Sequence, residues 1–267
     1  MCASLSAAVS AQPSEHPLHV VTTTSMIGDI TRNILGERGD VVSLMGPGID
    51  PHLFRATRSD IVQLNSADVV FYNGLFLEGK MIDALRRVES SGKKVFAVTE
   101  LISRDYLLEP PEFSGHFDPH VWMDPKAWKQ AVEVVRDRLA DVDPQARAGY
   151  VARAAAYQQQ IDALDAYAVK VMNTIPAEAK VLVTAHDAFN YFGRRFGLQV
   201  LGIQGISTES EAGVRDIERI VNVLVEKKIR AVFIESTVSD RNVRALLEGA
   251  AAQGHQVVIG GTLFSDA

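Results

Sequence analysis

Between Pro144 and about Asn173 the chain carries a stretch dense in Ala, Gln, Arg and Leu, with Gly149 as its one glycine and no proline after Pro144. These are good helix formers. Pro144 suits a first helical turn and Pro176 lies just past the end. About 30 residues at about 1.5 Å each make a rod of roughly 45 Å, the width of a whole domain. On either side of it the pattern is different and regular. Short β-branched runs at 19–24, 41–44, 68–72 and 94–98 alternate with segments of helical period at 26–35, 58–66 and 78–88. Ser25 is the expected N-cap of the first helix and Gly36 its stop. After the rod the same rhythm returns, with strands expected at 180–184, 199–203, 231–234 and 256–259 and helices at 188–196, 214–227 and 241–252. Strands alternating with helices build parallel sheets, because a parallel partner needs a helical crossover. The expected fold is α/β: two lobes with mostly parallel sheets flanked by helices, joined by one long rigid helix. The divisions are 1–18 as lead-in, 19–143 as the first lobe, 144–176 as the linker helix and 177–267 as the second lobe.

Composition removes several function classes. Of 267 residues, 47 % are hydrophobic and 22 % charged, which describes a packed globular chain and not a disordered one. The net charge of −6 argues against nucleic acid as a partner. Cys2 is the single cysteine, so an internal disulfide and a zinc–thiolate site are both excluded. A metal site would have to be built from His, Asp or Glu. No run reaches the ~20 apolar residues of a membrane helix. Residues 1–11, MCASLSAAVSA, are small and apolar, and Val9-Ser10-Ala11 fits a signal-peptidase site. They read as the tail of an export signal, which places the mature chain in the periplasm; an ordinary flexible terminus is the alternative. Cys2 lacks the upstream residues of a lipoprotein anchor, so no lipid is expected there.

The chemistry concentrates in four residues. Asp50-Pro51-His52 and Asp118-Pro119-His120 are the same tripeptide in two loops, each proline holding its Asp extended. His186 directly follows the expected strand 180–184, and Asp266 follows the expected last strand and a short loop. Ligands of open α/β sheets bind beyond the carboxyl ends of the strands. Imidazoles suit zinc and other first-row divalent ions, and a carboxylate adds charge. Each residue taken singly also fits a solvated loop histidine or a turn-forming Asp-Pro.

At these residues the sequence resembles the extracytoplasmic solute-binding proteins that feed zinc, manganese or iron to ABC importers, the TroA/ZnuA-like group. The matching segments are 46–52 (GPGIDPH), 118–125 (DPHVWMDP), 184–192 (TAHDAFNYF), 204–213 (QGISTESEAG), 233–236 (FIES) and 265–267 (SDA). The resemblance implies that His52, His120, His186 and Asp266 ligate one Zn²⁺ or Mn²⁺ carried between two lobes. It also implies that the partner is a membrane permease of an ABC importer and that the receptor is a monomer and no enzyme. Glu235, at the end of the strand expected at 231–234, is either a fifth ligand or, the favoured reading, an acceptor behind the ligands that orients a histidine. Three departures accompany the match. The histidine- and acid-rich loop of many zinc-specific members is reduced to 112–117, with His116 alone. The third ligand is His186, where many manganese-specific members have Glu. The chain stops one residue after Asp266, which suggests a shortened second lobe. Asp124 and Asp187 are expected to cap helices, and Trp122 and Trp128 to pack in the core or around the site. The rival functions are a zinc-dependent hydrolase with an open metal position, for which Glu235 would be the general base, and a non-transport adhesin or binding module. No HExxH, GxSxG or P-loop motif favours an enzyme.

Overall fold

The computed structural model describes residues 17–266. The expected signal tail, with Cys2, lies outside the described residues. The first lobe runs β1 (Leu18–Thr22), α1 (Ser25–Leu35), β2 (Gly39–Ser43), α2 (Arg58–Ser66), β3 (Val69–Tyr72), α3 (Ile82–Ser90), β4 (Lys94–Ala97) and α4 (Pro125–Val142). Its four strands lie in the order β2-β1-β3-β4, every pair parallel. Alternation along the strands sends neighbours to opposite faces. Val20, Val69 and Phe71 pack with Ile27, Ile30 and Ile34 of α1 and with α4. Val21 and Val70 pack on the other face with Leu64 of α2 and Leu85 of α3. Both faces are buried, so these strands read as apolar runs and not as an apolar–polar alternation.

Several boundaries differ from expectation for local reasons. Thr24, not Ser25, caps α1: its hydroxyl accepts from Ile27 N and Ser25 is already helical. Gly36 ends that helix at φ 59°, a left-handed value that favours glycine. Helix α4 was absent from the alternation pattern, because it follows a long irregular connection and not a strand. Asp124 does cap it, Oδ1 accepting from Lys126 N at 2.9 Å ahead of Pro125. Asp187 is not the N-cap of α6: that helix begins at Asn190, and its N-cap position is Phe189 without a side-chain bond.

The long helix opens as a 3₁₀ turn at Pro144–Ala146 and continues as α5 (Arg147–Met172). Its 26 residues span about 39 Å. It is more than a strut. Tyr150, Ala154 and Ile161 are part of the first lobe's core. Arg153 donates to the carbonyls of Ile34 at 2.6 Å and Leu35 at 3.1 Å, closing the C-terminal end of α1. Further along, Asp165 accepts both guanidinium arms of Arg195 on α6, which ties the helix to the second lobe.

The second lobe comprises β5 (Val181–Thr184), α6 (Asn190–Phe196), β6 (Gln199–Gly202), α7 (Val214–Glu226), β7 (Ala231–Glu235), α8 (Arg241–Ala252) and β8 (Val258–Leu263). It holds two parallel ladders, β5-β6 and β7-β8, with β5 packed beside β7. Helices α7 and α8 cover one face through Ile220, Leu224, Val243 and Leu246. The other face borders an apolar groove of about 880 Å³ lined by Phe189, Phe192, Phe233, Leu263 and Met172. Strand β8 is expected at 256–259 but runs Val258–Leu263, its ladder with β7 shifting register at Gly260 between the Ile259 and Gly261 pairs. The glycines that look like a turn are required inside the strand: a Cβ on Gly260 would stand 2.9 Å from the Phe233 ring.

Candidate metal centre

Both Asp-Pro-His segments fold back in the same way. Asp50 Oδ1 accepts the backbone N–H of His52 at 2.9 Å, and Asp118 Oδ1 accepts that of His120 at 2.9 Å. A short carboxylate bonding the amide two residues on is an Asx turn, which proline pre-forms by keeping the Asp extended. The first loop follows β2 and the second leads from β4 towards α4. His186 lies two residues beyond β5, and Asp266 three beyond β8. His186 and Asp266 thus lie just beyond the carboxyl ends of parallel strands, whereas His52 and His120 are brought to the same side by longer loops.

These four side chains meet at one point. One ligand atom from each of His52, His120, His186 and Asp266 lies within 4.8 Å of every other, and all four residues are buried. His120 Nε2 is 3.4 Å from His52 Nε2 and 3.4 Å from His186 Nε2. Asp266 stands 3.3 Å from His186, 3.6 Å from His120 and 4.0 Å from His52. No other group of three or more potential ligands is found among the described residues.

The rings are aimed from behind. His120 Nδ1 bonds Asp118 Oδ1 at 2.7 Å, and His186 Nδ1 bonds Glu235 Oε2 at 2.5 Å. Glu235 Oε1 also accepts His186 N at 2.8 Å, so one carboxylate holds the residue by ring and backbone. With Nδ1 donating to a carboxylate, Nε2 presents its lone pair to the centre. His52 is held differently: its backbone is bonded, but its buried Nδ1 has no partner. Both Asp266 oxygens are likewise buried without a hydrogen bond of acceptable geometry, although His186 Nε2 is within ion-pair range. Buried orphan acceptors of this kind are costly unless a cation or donor meets them. Trp122 Nε1 donates to Ser265 O at 2.7 Å and its ring stands edge-on to His120, fixing the turn that carries Asp266.

Charge coupling follows the geometry. Burial pushes the His52 imidazole down to about 3; Asp266 opposes this, and the neighbouring histidines reinforce it. Burial works in the same direction on His186, but Asp266 and Glu235 on its two sides outweigh it, and its value rises well above 6.5. For Asp266 burial would raise the carboxyl, yet His186 above all, with His120 and His52, takes it far below the usual carboxylate range. In the metal-free protein the two flanking carboxylates thus favour the charged form of His186.

Of the other histidines, His116 lies outside this cluster, edge-on to Phe76. His255 bonds Ile229 O at 2.6 Å, and His19 pairs with Asp40. Trp128 is in the first lobe's core. Sequence reasoning treated Asp118 as a turn residue only and passed over Asn190 and Thr208. The repeated Asp was the available signal, since a carboxylate two residues before a ligand histidine can reach its backbone or its ring.

The sequence profile of one family, ZnuA, zinc-uptake complex component A, periplasmic, matches residues 20–267. The chain belongs to this family. Among ZnuA-family relatives, the manganese-binding lipoprotein MntA of Bacillus subtilis is 44 % identical over 254 residues, covering 95 % of this chain and 82 % of MntA. The zinc-binding protein TroA of Treponema pallidum is 46 % identical over 250 residues, covering 93 % of this chain and 80 % of TroA. The solved structure of that periplasmic zinc-binding protein superposes with a TM-score of 0.91 at 44 % identity, covering 94 % of this chain and 90 % of the other. The α/β fold expected from the strand–helix alternation is thus the ZnuA-family fold. One expectation is corrected by the relatives: the reading that no lipid anchor is expected does not stand beside MntA, which is a lipoprotein by name. No helix of the described residues is long and apolar enough to cross a membrane.

Proposed function

We propose that this chain is an extracytoplasmic receptor that captures one Zn²⁺ or Mn²⁺ between its lobes and delivers it to the membrane permease of an ABC importer. The lobes are residues 19–143 and 177–267, the linker helix is 144–176, and the ligands are His52, His120, His186 and Asp266. The observation that carries this reading is the convergence of three imidazole Nε2 atoms on one buried carboxylate whose oxygens lack hydrogen bonds. Membership of a zinc-uptake family supports it, as do relatives named for manganese and zinc binding. Glu235 and Asp118 orient ligands and do not bind the ion themselves.

The nitrogen-rich donor set favours Zn²⁺ over Mn²⁺ at equilibrium, while supply also decides which ion is loaded in the cell. Four protein ligands fill a tetrahedral shell, which leaves no open position for the activated water of a zinc hydrolase. On this reading the chain acts as a carrier and not as an enzyme; the family resemblance supports a monomer in the periplasm. Elemental analysis of protein purified without chelator, followed by Zn²⁺/Mn²⁺ competition titration, tests the reading. One divalent ion per chain is the expected result. Protein that binds neither ion would overturn it.

A further inference from the structure

The two Asp-Pro-His loops share a second feature. In each, the Asp oxygen that does not hold its own histidine is bonded from the other lobe. Asp50 Oδ2 accepts the Thr208 hydroxyl at 2.6 Å. Asp118 Oδ2 accepts the Asn190 side-chain amide at 3.1 Å, and Asp118 O accepts the Tyr191 hydroxyl at 2.9 Å. Thr208 lies in the loop between β6 and α7, and Asn190 opens α6. Thr208 is 6 % exposed and Asp118 fully buried, while Asp50 and Asn190 are half-buried, so each bond is sheltered from water on one side. Thus each carboxylate has one oxygen on a ligand histidine of the first lobe and the other on a donor of the second. The carboxylate is planar and rigid, so pulling one oxygen turns the other.

We propose that Thr208 and Asn190 are positioning residues for metal capture: from the second lobe, each holds the aspartate that sets one histidine of the first, Thr208 through Asp50 to His52 and Asn190 through Asp118 to His120. The inference rests on the metal-capture reading above. Its consequence is that the second lobe supplies more than His186 and Asp266. When it moves away, it also withdraws the supports of His52 and His120, and the first lobe is not left holding an ordered half-site. Capture and lobe apposition then become a single equilibrium, because the ion's ligands are fully aligned only with both clasps made. The clasps are unequal. His120 keeps a ring bond to Asp118 Oδ1, whereas His52 has none, so His52 depends more heavily on its clasp.

The test uses the full chain loaded with Zn²⁺, with stoichiometry measured first and release then followed by stopped-flow mixing with excess chelator. Thr208→Val removes the hydroxyl at nearly constant volume, and about tenfold faster release is expected, at the lower end of what loss of a ligand's outer partner costs. Thr208→Ser keeps the hydroxyl and should release at the parental rate. Asn190→Ala should accelerate release by a smaller factor. A purely structural role would lower thermal stability of the metal-free protein without this split between Val and Ser. Pairing supplies a second readout: the Thr208→Val effect on zinc affinity should disappear in a His52→Ala background and persist in His120→Ala, with the reverse for Asn190→Ala. Release at the parental rate from both Thr208→Val and Asn190→Ala, or an effect of either that is additive with loss of the histidine of its own clasp, would overturn the inference. A parent chain that takes up no zinc would instead overturn the metal-capture reading itself.

Discussion

At the residue scale, the centre works through a division between the atoms that face the ion and those that aim them. Asp266 is the only anion among the four, and His186 is the ligand most strongly coupled to it, 3.3 Å away. Replacing His186 by Glu exchanges a nitrogen for a hard oxygen, and the Zn²⁺/Mn²⁺ affinity ratio should fall; competition titration against the parent reads it directly. An unchanged ratio would place His186 outside the ligand set. Glu235→Gln keeps the shape but removes the charge behind His186, and metal affinity should drop by about 10- to 100-fold. The pH dependence has two signs. The proton on His186 stabilises the metal-free fold below the unfolded histidine value of about 6.5, and this contribution is lost as pH rises through its raised folded value. His52, held at about 3, acts oppositely: stability is present above about 6.5 and is lost as pH falls towards 3. A bound ion must displace the His186 proton, whereas His52 carries none between pH 8 and pH 5. Affinity should therefore fall across that range by about one proton per ion on account of His186, measured by titration at several pH values. A flat profile would show that His186 gives up no proton on binding.

At the element scale, the strand ends are what bring the ligands to one place, and the turns after them have little room. Gly202 closes β6 beside the turn that follows His186; a Cβ there would stand 2.6 Å from Asp187 N and 2.7 Å from its Cα. Because the obstacle is backbone, Gly202→Ala should displace the His186 turn. The expected outcome is a loss of about 1–3 kcal/mol in denaturant unfolding together with weaker zinc binding, since overpacking of this kind is not relieved by a rotamer change. The long helix makes a related point. Its buried Tyr150, Ala154 and Ile161 fasten it to α1 and α4, and Arg153 fastens it to the end of α1, so the first lobe and the linker move as one body. Hinge bending within α5 would have to break helical hydrogen bonds, unlike the flexible crossovers of receptors that close by a hinge. Metal binding should accordingly produce small tilts and loop rearrangements. Small-angle scattering with and without zinc should show little change in radius of gyration, and a large fall would refute the rigid linker.

At the scale of the whole molecule, the cargo is also a stabiliser. On the proposed reading, the ion joins ligands from both lobes at a point where the imidazole and carboxylate groups are already buried. Binding that is specific to the folded state raises stability by about 4.1 kcal/mol at a free concentration a thousand times Kd. Thermal melts should shift upward with Zn²⁺ in proportion to the logarithm of its concentration, and the shift should vanish in Asp266→Ala. The interface between the lobes is polar where it nears the ion, with Thr208–Asp50, Asn190–Asp118, Arg194–Asp124 and Lys80–Glu209 spanning it. Polar contacts can be exchanged for water at modest net cost, which suits a surface that must part to release its ion.

The sequence by itself determined the α/β alternation, the parallel strands, the long helix and the identity of the four converging residues. These are legible because they depend on local signals: β-branched runs, the Gly- and Pro-poor stretch 144–173, and the repeated Asp-Pro-His with its family resemblance. Helix α4 escaped the strand–helix count because the irregular segment before it hid the rhythm, although its cap Asp124 was visible. The end of β8 was misplaced because Gly260-Gly261 reads as a turn locally, whereas in the fold a side chain at Gly260 would meet the Phe233 ring. What the tertiary structure alone decided is how the residues that aim the ligands are shared. Asp118 behind His120, Glu235 behind His186 and the free Nδ1 of His52 are set by which loops the two lobes bring face to face. Thr208 and Asn190 reach across from positions 158 and 72 residues away from their aspartates, and no sequence spacing encodes a contact made by the packing of one lobe on another.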